Sequence, residues 1–185
     1  MSNDRREFLK VASVLALSTT LGGLSVPAAA ATQGTPAAPP LGVRGSVPGK
    51  KLELNGVQYH IGEQGTGDKV MLLLHGMPDT SSTWDRQIPA LVAAGYRVIV
   101  PDMLGYGETE KPADPKRYAL ENIIADMVAL LDTLGLKQVD LIGHDWGAVA
   151  ATGLAAMPDT PFRKAVVMSV PPAAALRAHR VPPAG

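Results

Sequence analysis

The chain contains no cysteine. That excludes disulfides, thiolate nucleophiles and cysteine-based zinc sites together, and with them a lipid-modified cysteine behind any export leader. Net charge is absent too, since 17 Lys and Arg balance 17 Asp and Glu. A balanced chain offers no global field for nucleic acid or an anionic membrane surface, so a small molecule is the expected partner. The four histidines, His60, His75, His144 and His179, are too scattered to suggest a metal site. Neither a metal nor an organic cofactor is implied. What the chain does have is a hydrophobic content of 46% over 185 residues, enough for one domain with a real core.

The first stretch reads as an address and not as part of the fold. Arg5-Arg6-Glu7-Phe8-Leu9-Lys10 precedes an apolar run from Val11 to Val26, then Pro27 and the small residues Ala28 to Ala31. A charged region, an apolar region and a small-residue cleavage site, in that order, make an export signal. The paired arginines Arg5 and Arg6 resemble the twin-arginine signal, which export machinery reads as an address; Asp4 stands where that signal usually has Ser or Thr. The run is broken by Gly22-Gly23 and falls short of the roughly 20 apolar residues a spanning helix needs. We therefore expect a cleaved leader over 1–31, no stable membrane anchor, and a periplasmic or secreted product. Residues 32–50, rich in Pro and Gly, read as a flexible linker ahead of a domain over 51–172.

Within that domain two periodicities alternate. Leu52-Glu53-Leu54 and Val57 to Ile61 flank Asn55-Gly56, a strong hairpin signal. Val70 to Leu74 is continuously apolar, as a strand buried on both faces should be. A helix is expected from Trp84 to Ala94, stopped by Gly95, then a strand from Tyr96 to Val100. Ile123, Ile124, Met127, Leu130, Leu131 and Leu134 form one face of a helix over Leu120–Leu134, closed by Gly135. A strand at Val139–Ile142, a buried helix at Ala148–Met157 and a strand at Ala165–Val170 complete the series. This is the alternation of an α/β fold, with a mostly parallel sheet flanked by helices.

Gly143-His144-Asp145-Trp146-Gly147 falls where a strand is expected to turn into a helix. Small residues two before and two after the central residue permit the sharp turn of a nucleophile elbow, which holds that residue up at the edge of the sheet. The central residue here is Asp145. An aspartate ahead of a helix is also a common N-cap. As a nucleophile, a carboxylate differs from serine in being already ionised at neutral pH. Its attack on an ester would give a high-energy anhydride, whereas attack on a saturated carbon gives a covalent alkyl ester that water can hydrolyse. Asp145 thus favours alkyl over acyl transfer.

His75-Gly76-Met77-Pro78 ends the first buried strand, where a second oxyanion donor belongs. The expected donors are the backbone N–H groups of Met77 and Trp146. His75, Gly76, Pro78, Gly143, His144 and Gly147 are expected to support the motif, with His75 bonding loop backbone. Together with Trp84, Gln87 to Leu91, Gly95-Tyr96-Arg97-Val98, Asp102 to Thr109, Asp126 and Leu134-Gly135-Leu136, these motifs resemble the epoxide hydrolases of the α/β-hydrolase superfamily. The resemblance runs from about Leu52 to Pro172. It implies the N-terminal part of the α/β-hydrolase fold, attack by Asp145 on an epoxide carbon, and hydrolysis of the resulting ester to a diol. It leaves Asp102 and the Gly105-Tyr106-Gly107 loop as structural supports.

Haloalkane dehalogenases share the Asp-Trp elbow and are the alternative. Their oxyanion loop typically carries a halide-binding asparagine where this chain has Met77, whose thioether donates no hydrogen bond. The family's later carboxylate, its late histidine and the tyrosines of its cap do not appear. Tyr59, Tyr96, Tyr106 and Tyr118 all precede the elbow, and His179, the one histidine after it, falls at the expected entrance to a cap over 173–185. The expectation is a fold truncated before the cap and last strands, able to be alkylated at Asp145 but not to turn over. A catalytically inert fragment is the other reading.

Overall fold

A computed structural model describes residues 46–171; the expected leader, most of the expected linker, Pro172, His179 and the expected cap segment over 173–185 lie outside the described residues. Two strands open the domain, β1 (Gly49–Leu54) and β2 (Val57–Gln64), paired antiparallel. Between them Asn55 and Gly56 both take positive φ, 49° and 78°, the pattern of the tight turn that Asn-Gly favours. The linker ends sooner than expected. Val47 is buried and β1 begins at Gly49, so the last residues of the 32–50 stretch belong to the fold.

The remaining strands are β3 (Lys69–Leu74), β4 (Tyr96–Pro101), β5 (Val139–His144) and β6 (Phe162–Met168). The sheet runs β1-β2-β4-β3-β5-β6. β4, β3, β5 and β6 are mutually parallel, and β2 joins β4 antiparallel. Alternation on the central strand explains its continuous apolar sequence. Val70, Leu72 and Leu74 join the main core with Met127 and Leu130, while Met71 and Leu73 are fully buried outside that cluster.

Three helices connect the parallel strands: α1 (Ile88–Ala93), α2 (Leu120–Thr133) and α3 (Trp146–Ala155). The first is shorter than the 84–94 expectation. Pro89 has no N–H and is tolerated only in the first turn, so the helix starts there. Ser81–Trp84 forms a separate 3-10 turn, capped by the Thr80 side chain accepting from the Ser82 N–H. β6 starts at Phe162, earlier than expected, and ends at Met168. Its start is set by the pairing of Phe162 with Val139 across an irregularity in the ladder.

One buried polar node fixes the hairpin against α2. Asp126, fully buried, accepts from Tyr59 Oη at 2.6 Å, from Asn55 Nδ2 at 2.9 Å, and from Arg117 Nη2 at 2.7 and 2.8 Å. Burial, and then Asp126 itself, push the Tyr59 phenol well above its usual range, so it remains a donor. The three partners come from the hairpin turn, β2 and the 3-10 turn Pro115–Tyr118.

Candidate active site

Asp145, Met77 and Asp102 follow β5, β3 and β4 at the C-terminal edge of the parallel strands, where open α/β sheets bind ligands. Asp145 turns the chain. Its φ of 54° and ψ of −122° lie in a region that L-residues rarely adopt, at a cost on the order of 1–3 kcal/mol. Two glycines permit this turn. A Cβ on Gly143 would meet Gly147 backbone and Ala151 Cβ, the latter at 2.7 Å, and one on Gly147 would meet the carbonyls of Leu74 and His75. The helix N-terminus is thereby pressed against the end of β3.

That close approach brings the two halves of the site together. Met77 N–H donates to Asp145 Oδ1 at 2.9 Å. A Cβ on Gly76 would collide with the Asp145 side chain, so only glycine lets the loop come this near. Hydrogen bonds from the N–H groups of Met77 and Trp146, in that order, hold the Asp145 carboxyl below its usual range, with a smaller contribution from the neighbouring His144. The two backbone donors named from sequence thus converge on one carboxylate. Pro78 follows Met77 through a cis peptide bond.

His75 occupies the position expected of a support. Its Nε2 accepts from Met103 N–H at 2.8 Å, which requires the neutral ring and leaves Nδ1–H to donate to the Gly76 carbonyl at 2.8 Å. Burial lowers its pKa, against the opposing pull of the Gly76 carbonyl, Asp102 and Asp79. The ring therefore links the Gly76-Met77 loop to the residue after Asp102. A His whose folded pKa is depressed binds its proton first in the unfolded chain. The fold should keep this contribution above about pH 6.5 and lose it as pH falls through the lowered folded value, with a slope of at most about 1.4 kcal/mol per pH unit. Urea unfolding between about pH 5.5 and 7.5 checks this: His75→Gln, which can accept from Met103 N–H without titrating in that range, should flatten the slope. An equal slope in both proteins would refute the assignment.

Asp102 serves as a scaffold. Its carboxylate accepts from Ser81 N–H at 2.8 Å, Glu108 N–H at 2.9 Å and the Ser46 hydroxyl. Burial works against its charge, but these donors outweigh burial and hold its pKa below the usual range. Val47 is fixed beside it, donating its N–H to Ser81 Oγ at 2.9 Å and accepting from His60 Nε2 at 2.7 Å.

Sequence reasoning missed the cavity beside these groups. It encloses about 250 Å³ between Met77 and Trp146 on one side and Tyr106, Tyr118, Leu120, Ile123 and Ala150 on the other. Leu120 and Ile123 were legible only as members of an apolar helix face, and nothing in the spacing separates a pocket wall from a core contact. Met77 and Trp146 are 56% and 55% exposed, large apolar groups at the mouth of a site, not in a core.

Residues 69–184 match the family model of the alpha/beta hydrolase fold. The chain belongs to that family. It is 43% identical over 129 residues to an epoxide hydrolase of Caballeronia sordidicola, covering 70% of this chain and 39% of that protein. Among solved structures it resembles an epoxide hydrolase of Vigna radiata, with a TM-score of 0.65, 38% identity and coverage of 72% and 46% of the two chains. Epoxide hydrolase A of Mycobacterium thermoresistibile gives a TM-score of 0.63 at 37% identity, covering 70% of this chain and 43% of that one. The chain spans about two-fifths of the length of such relatives.

Proposed function

We propose that the chain carries the nucleophile half of an epoxide hydrolase. The observation that carries this reading is Asp145 raised on a strained turn with its carboxylate on the donors of Met77 and Trp146. In the first step a carboxylate oxygen of Asp145 bonds to an epoxide carbon, that carbon's bond to the ring oxygen breaks, and the oxygen takes up a proton. The product is a β-hydroxyalkyl ester of Asp145. Water then adds to the ester carbonyl and the diol leaves, regenerating the carboxylate. Negative charge develops on the carbonyl oxygen in this second step, where backbone N–H donors already in place stabilise it without reorganisation.

The reading assigns His75 no proton transfer, because both its ring nitrogens are engaged with backbone. His60 is likewise tied through Nε2 to the Val47 carbonyl. No described residue matches the late histidine that the resemblance implies, so with His75 and His60 held by backbone the ester should persist in the 185-residue protein. Incubation with a terminal epoxide should add one equivalent of its mass, mapped to the peptide holding Asp145. No adduct, or an adduct on another residue, would overturn the nucleophile assignment; catalytic diol release would overturn the missing base.

A haloalkane dehalogenase is the second reading, favoured only by the exposed Trp146 as a halide donor. Met77 opposes it. An alkyl bromide labelling Asp145 faster than the matched epoxide would make it the better reading. We also propose export through Arg5 and Arg6; replacing both with lysine should hold the precursor in the cytoplasm, and unchanged export would refute this.

A further inference from the structure

We propose that Asn55-Gly56, at the tip of the β1–β2 hairpin, is a site of spontaneous covalent modification, deamidation through a cyclic imide, and that the hydrogen bond from Asn55 to Asp126 sets its rate. The proposal is independent of the chemistry at Asp145.

The chain has three asparagines, Asn3, Asn55 and Asn122, and only Asn55 precedes a glycine. Without a Cβ, glycine leaves its own nitrogen open to the side chain before it. Asn55 and Gly56 are both exposed, and nothing lies within 4 Å of where a Gly56 Cβ would stand, so water and hydroxide reach the turn. The Gly56 nitrogen gives its proton to hydroxide and bonds to Asn55 Cγ. The bond from Cγ to Nδ2 breaks, and that nitrogen takes a proton from water and leaves as ammonia. A second water opens the imide. Addition at Cγ gives aspartate, and addition at the main-chain carbonyl gives isoaspartate. The net change is amide and water to acid and ammonia, with no electron transferred.

The fold opposes the first step. Asn55 Nδ2 donates to Asp126 Oδ1 at 2.9 Å, across 71 positions of chain. Asp126 cannot follow a moving side chain, because it is fully buried and held by Tyr59 and Arg117. The amide is thus tied at the nitrogen that has to leave, and turning its carbon toward Gly56 opens that bond. Either product then removes the tie. A carboxylate at position 55 has no N–H to donate and brings a second negative charge toward Asp126. Isoaspartate also adds a main-chain atom to the two-residue turn that closes on the Leu54–Val57 pair.

The experiment incubates the 185-residue protein in mildly alkaline buffer and follows aspartate and isoaspartate by peptide mapping. Both should accumulate at position 55. Asn122, inside α2 and followed by the β-branched Ile123, should stay intact in the same sample. Conversion in the native protein should be about tenfold or more slower than in urea-unfolded protein, the scale of a hydrogen bond to a charged acceptor. Asp126→Ala should remove that protection. Leu141→Ala, which opens a cavity in β5 away from the hairpin, should keep the native rate while the protein stays folded. Should Asp126→Ala not fold, Asp126→Asn decides, since its neutral acceptor should raise the rate several-fold.

An Asn55 still intact in the native protein after many half-lives of the unfolded chain would overturn the site. Equal rates in native and unfolded protein, or Leu141→Ala accelerating as much as the Asp126 variants, would overturn the role of Asp126. Incubated protein should also unfold at a lower urea midpoint than fresh protein. Asn55→Gly, which suits the positive φ and carries no amide, should show no such drift. The same drift in Asn55→Gly would place the loss of stability elsewhere and reject the hairpin as its origin.

Discussion

Replacing Asp145 with glycine should abolish covalent labelling and at the same time make the protein more stable. The loss follows from removing the carboxylate that we propose forms the ester; on the scale of nucleophile deletions it should reach about 10⁴-fold or more. The gain follows from the backbone. At φ 54° and ψ −122° every L-residue is strained, and glycine alone occupies this region freely. Asp145→Gly should therefore exceed Asp145→Ala in stability by about 1–2 kcal/mol, although both are inactive. Unfolding midpoints of the two variants, measured together, separate strain from lost contacts, since both lose the hydrogen bond from Met77. Equal midpoints would mean the turn stores no strain.

The second large effect lies far from the chemistry. Asp126→Ala should destabilise the fold by about 2–3 kcal/mol, because it leaves the buried Tyr59 hydroxyl without its acceptor and the half-buried Arg117 without its partner. That is a large share of the roughly 5–15 kcal/mol that holds a domain of this kind together. Adding Tyr59→Phe to the variant should recover about 1–2 kcal/mol by removing the orphaned hydroxyl. Chemical denaturation checks both steps. If the double variant is no more stable than Asp126→Ala, the hydroxyl is not buried against the carboxylate.

These two aspartates mark the limits of sequence reading in different ways. The turn at Asp145 was legible because it depends on local spacing: a glycine two positions to either side, a strand before and a helix after. Met77 was legible through the strand-end motif that carries it, although it meets Asp145 across 68 positions of chain. The order of strands and helices was equally local; the bounds that moved include the helix start at Pro89, both ends of β6, both ends of α3 and the start of β1. Asp126 appeared in the resemblance as a matching residue with no stated role. Its partners Asn55, Tyr59 and Arg117 come from three separate segments, and no periodicity announces such a meeting. The cavity escaped for the same reason: its wall combines residues from the loops after β3 and β4, the 3-10 turn Pro115–Tyr118, the first turn of α2 and the start of α3.

Ser46 and Val47 give the domain a chemically defined front edge. The Ser46 hydroxyl reaches Asp102, and Val47 bridges Ser81 and His60, so these two residues complete a polar cluster they precede by many positions. A processing cut on the N-terminal side of Ser46 leaves that cluster whole. A cut only two residues later strips a buried carboxylate of one donor and uncovers the apolar surface under Val47. The length of any leader and spacer removed from this protein is therefore bounded by the hydrogen bonds of Asp102, and not by the accessibility of the peptide alone.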